Sequence, residues 1–256
     1  MTDIRPGKGA TEEEILLLLP GILGRRAIDI DEEIAKKDEK NMMADVVEQG
    51  YFGVEKNSRQ EADFPEAGIE LKVTTLELKK SEPLVAPKER MYISSIDKEE
   101  VIEKQKWYNV KGLKKANDTL IVWYLNLEDD EDKYQPYIWS HLWKPEKNVI
   151  WKEKIQRDCE IIKEKIKSGE DLSAGDTEFL IASTKDTGHK DEHSRSWAIK
   201  AGGMRRILAY STGLRLTAPG RIRSGGIHID KLKNRIVKEK KSYNFKFDKF
   251  LSEEVN

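Results

Sequence analysis

The stretch Asp63-Phe64-Pro65-Glu66-Ala67-Gly68-Ile69-Glu70-Leu71-Lys72 sets two carboxylates seven residues apart, with an amine two residues beyond the second. From Gly68 to Thr74 apolar and polar residues alternate, the period of a strand, so Glu70, Lys72 and Thr74 share one face. Pro65 and Gly68 mark a turn that brings Asp63 alongside them. Mg²⁺ is bound through one or two carboxylates together with water and phosphate oxygens, which suits Asp63 and Glu70 as ligands. An ammonium beside such an ion, here Lys72, orients the attacking water or helps to deprotonate it. The chemistry in view is hydrolysis of a phosphodiester.

Glu-x-Lys on its own is a weak signal in a chain this rich in both residues. It occurs at Glu70–Lys72, Glu77–Lys79, Glu131–Lys133 and Glu239–Lys241, and each triplet taken alone reads more simply as a solvated strand or helix edge. Only the first has an Asp at the right distance upstream and an apolar frame around it. The second lies one strand-length further on and competes with it.

Other catalytic patterns find less support. His189 and His193 are four apart, but the Glu between them is misplaced for a zinc protease and no third ligand is evident, so a polar loop is expected. Gly202-Gly203 and Gly225-Gly226 lack the Gly-Lys-Ser/Thr that cradles nucleotide phosphates, so no nucleotide cofactor is expected. Cys159, the single cysteine, excludes an internal disulfide and a Cys-rich zinc site. It falls on the apolar face of a helix and reads as core.

The elements that must position Asp63, Glu70 and Lys72 are legible as a mixed pattern. Thr11 followed by Glu14 is a capping box ahead of Ile15-Leu16-Leu17-Leu18-Leu19, with Pro20-Gly21 as the stop. Ile34, Met42, Met43, Val46 and Val47 recur at helical spacing up to Gly50, placing Lys40 near a turn and Glu48 near a helix end. Residues 92–96 and the apolar run 120–125 read as strands, the latter buried on both faces. Val149 to Lys167 carries Ile150, Ile155, Cys159, Ile162 and Ile166 at helical spacing. Residues 178–183, 196–199 and 207–212 read as further strands, the last two among Gly-containing turns. The fold class is therefore mixed α/β, in two lobes divided near residue 170: a catalytic lobe, 1–170, and a basic lobe, 171–256.

Composition narrows the setting. The 256 residues are 38% hydrophobic and 36% charged, with six Trp, eight Tyr and six Phe to fill a core, so a folded chain is expected. The longest apolar run, Ile15 to Pro20, is far short of the ~20 residues of a membrane span. The N-terminus lacks a basic-then-apolar leader, so a cytoplasmic protein without a membrane partner is expected. The net charge of −1 conceals an asymmetry: Lys185 to Lys241 holds fifteen Lys or Arg against five Asp or Glu, which leaves −11 elsewhere. Such a basic module fits a polyanion, although a lysine-rich solvated tail accounts equally well for Lys238 to Lys241.

Residues 63–76 resemble the catalytic stretch of the MutH mismatch-repair endonucleases and their relatives among the GATC-cutting type II restriction endonucleases, within the PD-(D/E)xK nuclease fold. The likeness continues in family order. Thr11-Glu12-Glu13 resembles the start of the first helix, and Lys40-Asn41 with Val46-Val47-Glu48 resembles the lysine segment leading to a glutamate-ended helix. Leu113-Lys114-Lys115 ahead of residues 120–124 resembles the lysine before a core strand, and Arg195-Ser196-Trp197-Ala198-Ile199-Lys200 resembles the Arg-x-aromatic-x-Leu-Lys strand. Asn41 stands where the family has Gly, and Ala201-Gly202-Gly203 stands where it has bulkier polar residues.

The resemblance implies a mixed central sheet flanked by helices, with two lobes forming a DNA cleft. It implies that Asp63 and Glu70 ligate Mg²⁺ with the Leu71 carbonyl, that Lys72 serves the attacking water and that Glu48 assists. Lys115 would face the reacting phosphate, with Lys111 and Lys114 as rivals; a solvated helix end for Glu48 and an exposed loop charge for Lys115 are the plainer alternatives. It also implies DNA contacts from Lys40, Lys185, Arg195, Trp197 and Lys200, of which Trp197 is by residue type better suited to core packing.

The function expected is thus a Mg²⁺-dependent endonuclease on double-stranded DNA, a type II restriction enzyme at GATC or a related site, with a homodimer pairing two sites on a palindrome. A MutH-like strand-nicking enzyme and a non-catalytic DNA-binding module of the same fold are the alternatives.

Overall fold

Thr11 opens the first helix as its composition demands: its hydroxyl accepts from the Glu14 amide at 3.3 Å, and the Glu14 carboxylate accepts the Thr11 amide at 2.8 Å. Those bonds hold the Glu14 carboxyl below the usual range. The helix runs from Glu12 to Ile22 and takes Pro20 in its last turn, two residues beyond the stop expected at Pro20-Gly21. The computed structural model describes residues 5–37, 41–55, 61–79, 83–127, 131–184, 195–217 and 225–240. Lys40, Lys185, His189 and His193 lie outside them.

In chain order the helices are α1 (Glu12–Ile22), α2 (Ala27–Ile30), α3 (Glu32–Ala35), α4 (Met42–Asp45), α5 (Lys98–Glu103), α6 (Lys111–Lys114), α7 (Val149–Ser168), α8 (Ala201–Thr212) and α9 (Ile229–Lys240). The strands are β1 (Glu70–Leu78), β2 (Leu84–Pro87), β3 (Met91–Ser95), β4 (Thr119–Asn126), β5 (Tyr137–Trp143), β6 (Leu180–Thr184), β7 (Arg195–Ile199) and β8 (Ile227–His228). No helix among the described residues is long and apolar enough to cross a membrane.

Two compact units emerge, neither a contiguous half of the chain. The first gathers residues 1–88, 120–142 and 209–256; the second gathers 89–119 and 143–208, so residue 170 falls inside it. The first contains the sheet β5-β4-β1-β2-β8, in which β1 pairs antiparallel with β2 and β2 with β8. β4, expected to be buried on both faces, has residues 119–123 all buried. One core cluster joins Ile15, Leu19 and Ile22 of α1 to Val46, Val47, Phe52, Phe64, Ile69, Leu71, Leu120 and Val122. Burial of a large apolar side chain there stabilises by about 1.5–3 kcal/mol, so this core anchors the start of β1 from beneath.

The second unit is built on the antiparallel sheet β3-β7-β6. α7 follows its sequence pattern closely and buries Trp151, Ile155, Asp158, Cys159 and Ile162. Burial raises the Cys159 thiol to about 12, so it is an inert core group as expected. Asp158 accepts the amides of Glu178, Phe179 and Leu180 at 3.0, 2.6 and 2.7 Å, and so clamps the start of β6 onto α7.

One element is corrected. Residues 207–212, read as a strand, are the second half of α8. Met204, Ile207 and Leu208 lie three and four apart on one helical face and are all fully buried.

Candidate active site

Phe64 and Ile69 exchange backbone hydrogen bonds of 3.0 and 3.1 Å, and the Gly68 amide donates to the Pro65 carbonyl at 3.2 Å. The four residues between are a tight turn, closed by Gly68 at φ +67°, a conformation open to glycine without a Cβ clash. The antiparallel bridge sets residue 63 across from residue 70. It is fixed from inside: Phe64 and Ile69 are fully buried while Pro65, Glu66 and Gly68 face solvent. The turn expected around Pro65 and Gly68 is therefore present and has the expected consequence for Asp63.

The Asp63 Oδ2 atom accepts the Leu71 amide at 2.8 Å. Lys72 Nζ donates to Glu70 Oε1 at 2.6 Å, with the Glu70 side chain 8% exposed and that of Lys72 28%. Alternation along β1 puts these two side chains on the same face, as the sequence period required. The rival triplet is differently employed: Glu77 is ion-paired to Lys88 at 2.6 Å.

The donor set matches a hard cation. Among the described residues no group of three or more His, Cys, Asp and Glu is gathered for a metal. Two carboxylates beside a backbone carbonyl are what Mg²⁺ uses, since it keeps waters and substrate oxygens for its other positions. The residues present therefore fit that ion.

Glu48 lies in a one-turn π-helix, Val46–Tyr51, in the same unit and is half-buried. Lys115 caps the end of α6 in the second unit, half-buried, while Lys111 and Lys114 are exposed. Trp197 is fully buried in β7 and packs the sheet. Arg195 Nη1 donates to the Leu172 carbonyl at 3.1 Å. Lys200 Nζ donates to the Ala174 carbonyl at 2.7 Å and to that of Thr177, so its amine ties the loop before β6.

Residues 52–158 match the MutH family, described as DNA mismatch repair enzyme MutH. That stretch is similar to MutH. The matched stretch contains Asp63, Glu70, Lys72 and Lys115 and begins after Glu48. Its fold is that of the PD-(D/E)xK nucleases, the mixed α/β class expected from the sequence. The chain is also similar to the type II restriction enzyme Sau3AI of Staphylococcus aureus, 27% identical over 198 residues. That similarity covers 73% of this chain and 40% of the relative, so the chain spans about two fifths of the length of the curated protein it matches.

Two features escaped the sequence reading. The Leu71 amide that holds Asp63 is a backbone group with no side-chain signature, although the four-residue turn 65–68 implies that residue 63 reaches the start of β1. Tyr51 is the other: its hydroxyl donates to the Leu18 carbonyl at 2.5 Å across thirty-three residues of chain, a contact that local pattern cannot reveal.

Proposed function

We propose that this MutH-like chain is a Mg²⁺-dependent, sequence-specific DNA endonuclease of the type II restriction kind, acting at GATC or a related site in the cytoplasm. The observation that carries the reading is the turn that sets Asp63 across from Glu70 on a strand whose Lys72 is bonded to Glu70. Asp63 and Glu70, with the Leu71 carbonyl, would hold the ion. When bound, Mg²⁺ supplies charge stabilisation at the non-bridging phosphate oxygen and the leaving oxygen. Lys72 would orient the attacking water in line with the scissile bond, and Glu48 would assist in accepting its proton. The water oxygen bonds to phosphorus as the bond to the 3′ oxygen breaks, leaving a 5′-phosphate and, after protonation, a 3′-hydroxyl. Lys115 would place positive charge against a DNA phosphate, as would Lys40 and Lys185.

The MutH description of residues 52–158 favours a second reading, a nickase that cuts one strand. Cutting both strands of a palindrome calls for two sites related by a two-fold axis, so a homodimer on DNA accompanies the restriction reading. The test is digestion of methylated and unmethylated plasmid with Mg²⁺ or EDTA, beside Asp63→Ala, with the ends mapped. Linear products with 5′-phosphates at one short site, abolished by EDTA and by the substitution, are expected. Open circles only would select the nickase, and binding without any Mg²⁺-dependent cutting would overturn both readings.

A further inference from the structure

The π-helix that carries Glu48 is held from outside. In a regular α-helix the Phe52 amide would meet the Glu48 carbonyl; here it donates to Val47 at 3.0 Å, and the Glu48 carbonyl accepts from Val54 at 2.8 Å instead. The extra residue in the turn rotates the chain beyond it by roughly 100°, and Phe52 lands fully buried, edge-on to Phe64 with ring centroids 5.2 Å apart. Phe64 is the neighbour of Asp63 in the turn described above. The turn bearing Glu48 and the turn bearing Asp63 are thus packed against each other through two rings.

Tyr51 fixes the near end of this stack. Its ring stands edge-on to Phe52 at 5.1 Å, and its hydroxyl reaches the Leu18 carbonyl of α1 at 2.5 Å. It passes the helix at Gly21, where a Cβ would sit 2.5 Å from the Tyr51 oxygen, so a side chain at that position would push the hydroxyl away.

We infer that Tyr51 is a positioning residue: its bond to Leu18 past Gly21 locks the π-turn and so sets the aim of Glu48 toward the site built on Asp63, Glu70 and Lys72. The inference rests on the nuclease reading and adds a residue to it. Its test is a double-mutant cycle in the full chain, with Tyr51→Phe, Glu48→Gln and the pair together measured for Mg²⁺-dependent plasmid cleavage.

Tyr51→Phe keeps both ring contacts and loses only the hydroxyl. We expect kcat to fall by about ten- to a hundredfold, the scale of a misplaced group, with KM for DNA unchanged. The double variant should be no slower than Glu48→Gln alone. Hydrogen exchange supplies a readout independent of turnover: amides of residues 46–54 should exchange faster in Tyr51→Phe while those of β4 do not change. Gly21→Ala, which displaces the same hydroxyl from the other side, should give the same pattern. Rate losses that multiply in the double variant, or exchange that quickens throughout the unit, would make Tyr51 a merely structural contact and overturn the inference. Glu48→Gln cutting at the wild-type rate beside an inert Asp63→Ala would overturn it while leaving the nuclease reading intact. A wild-type chain that does not cut would remove both.

Discussion

Two aspartates in this molecule do the same thing to the backbone and end in different circumstances. Asp63 caps the Leu71 amide at the start of β1, and Asp158 caps the amides of Glu178, Phe179 and Leu180 at the start of β6. Asp158 is 2% exposed and both its oxygens are directed at the chain. Asp63 is half-buried at the mouth of a solvent-facing turn, on the same strand end as Glu70 and Lys72. A carboxylate sealed from water and saturated with amides is a structural clamp; one held by a strand-end amide beside a second acid is oriented yet accessible to a cation. The difference lies in access and in neighbours, not in residue type.

The sharpest way to break this comparison is to remove each acid in turn. Asp63→Ala should lower Mg²⁺-dependent cleavage by at least about 10³-fold, the scale of charge stabilisation a bound cation supplies, while DNA retention in a low-salt gel shift persists. Asp158→Ala should instead lose about 3 kcal/mol of stability, because the buried amides of Phe179 and Leu180 and the part-buried amide of Glu178 are left unpaired. Chemical denaturation measures it. A stable but inactive Asp158→Ala chain would move Asp158 into the site and erase the distinction.

A half-buried histidine shows desolvation acting without a clamp. Desolvation in β5 lowers His141 from 6.5 to about 4. Between those values the unfolded chain holds the proton and the folded chain does not, so stability falls as pH falls through this window, by up to about 3 kcal/mol for the full shift. Denaturation midpoints from pH 7 to pH 4 should flatten in His141→Gln relative to wild type. An unchanged slope would mean that water reaches the imidazole.

The smallest effect separates the lysines. Lys72 meets a carboxylate on the proposed site, whereas Lys200 donates to two loop carbonyls. Lys200→Met should therefore cost about 1.5 kcal/mol of stability and leave the salt dependence of DNA binding unaltered. A slope of log affinity against log salt that changes by about one would return Lys200 to the phosphate contacts.

Legibility in the sequence divides along the same physical line. α7 was legible because its apolar stripe persists over twenty residues, and β4 because a run of branched and aromatic residues leaves little choice. The site triad was legible because strand alternation and one turn suffice to place it. Residues 207–212 misled because Gly202 and Gly203 in the first turn of α8 hid its start, leaving a short window rich in residues that also suit strands. β5 passed unnoticed, although Tyr137 and Trp139 are buried in it, because aromatic residues at its edges blur the alternation. The Tyr51 to Leu18 bond and the three-amide clamp of Asp158 join residues far apart in sequence, where no local period applies.

The most direct test of the account is anomalous scattering from crystals soaked in Mn²⁺, for wild type and Asp63→Asn. One ion with carboxylate oxygens of both Asp63 and Glu70 at about 2.1–2.3 Å is predicted in the wild type, lost or displaced in the variant. Carboxylates pointing apart with no ion shared between them, in crystals that bind Mn²⁺ elsewhere, would contradict it.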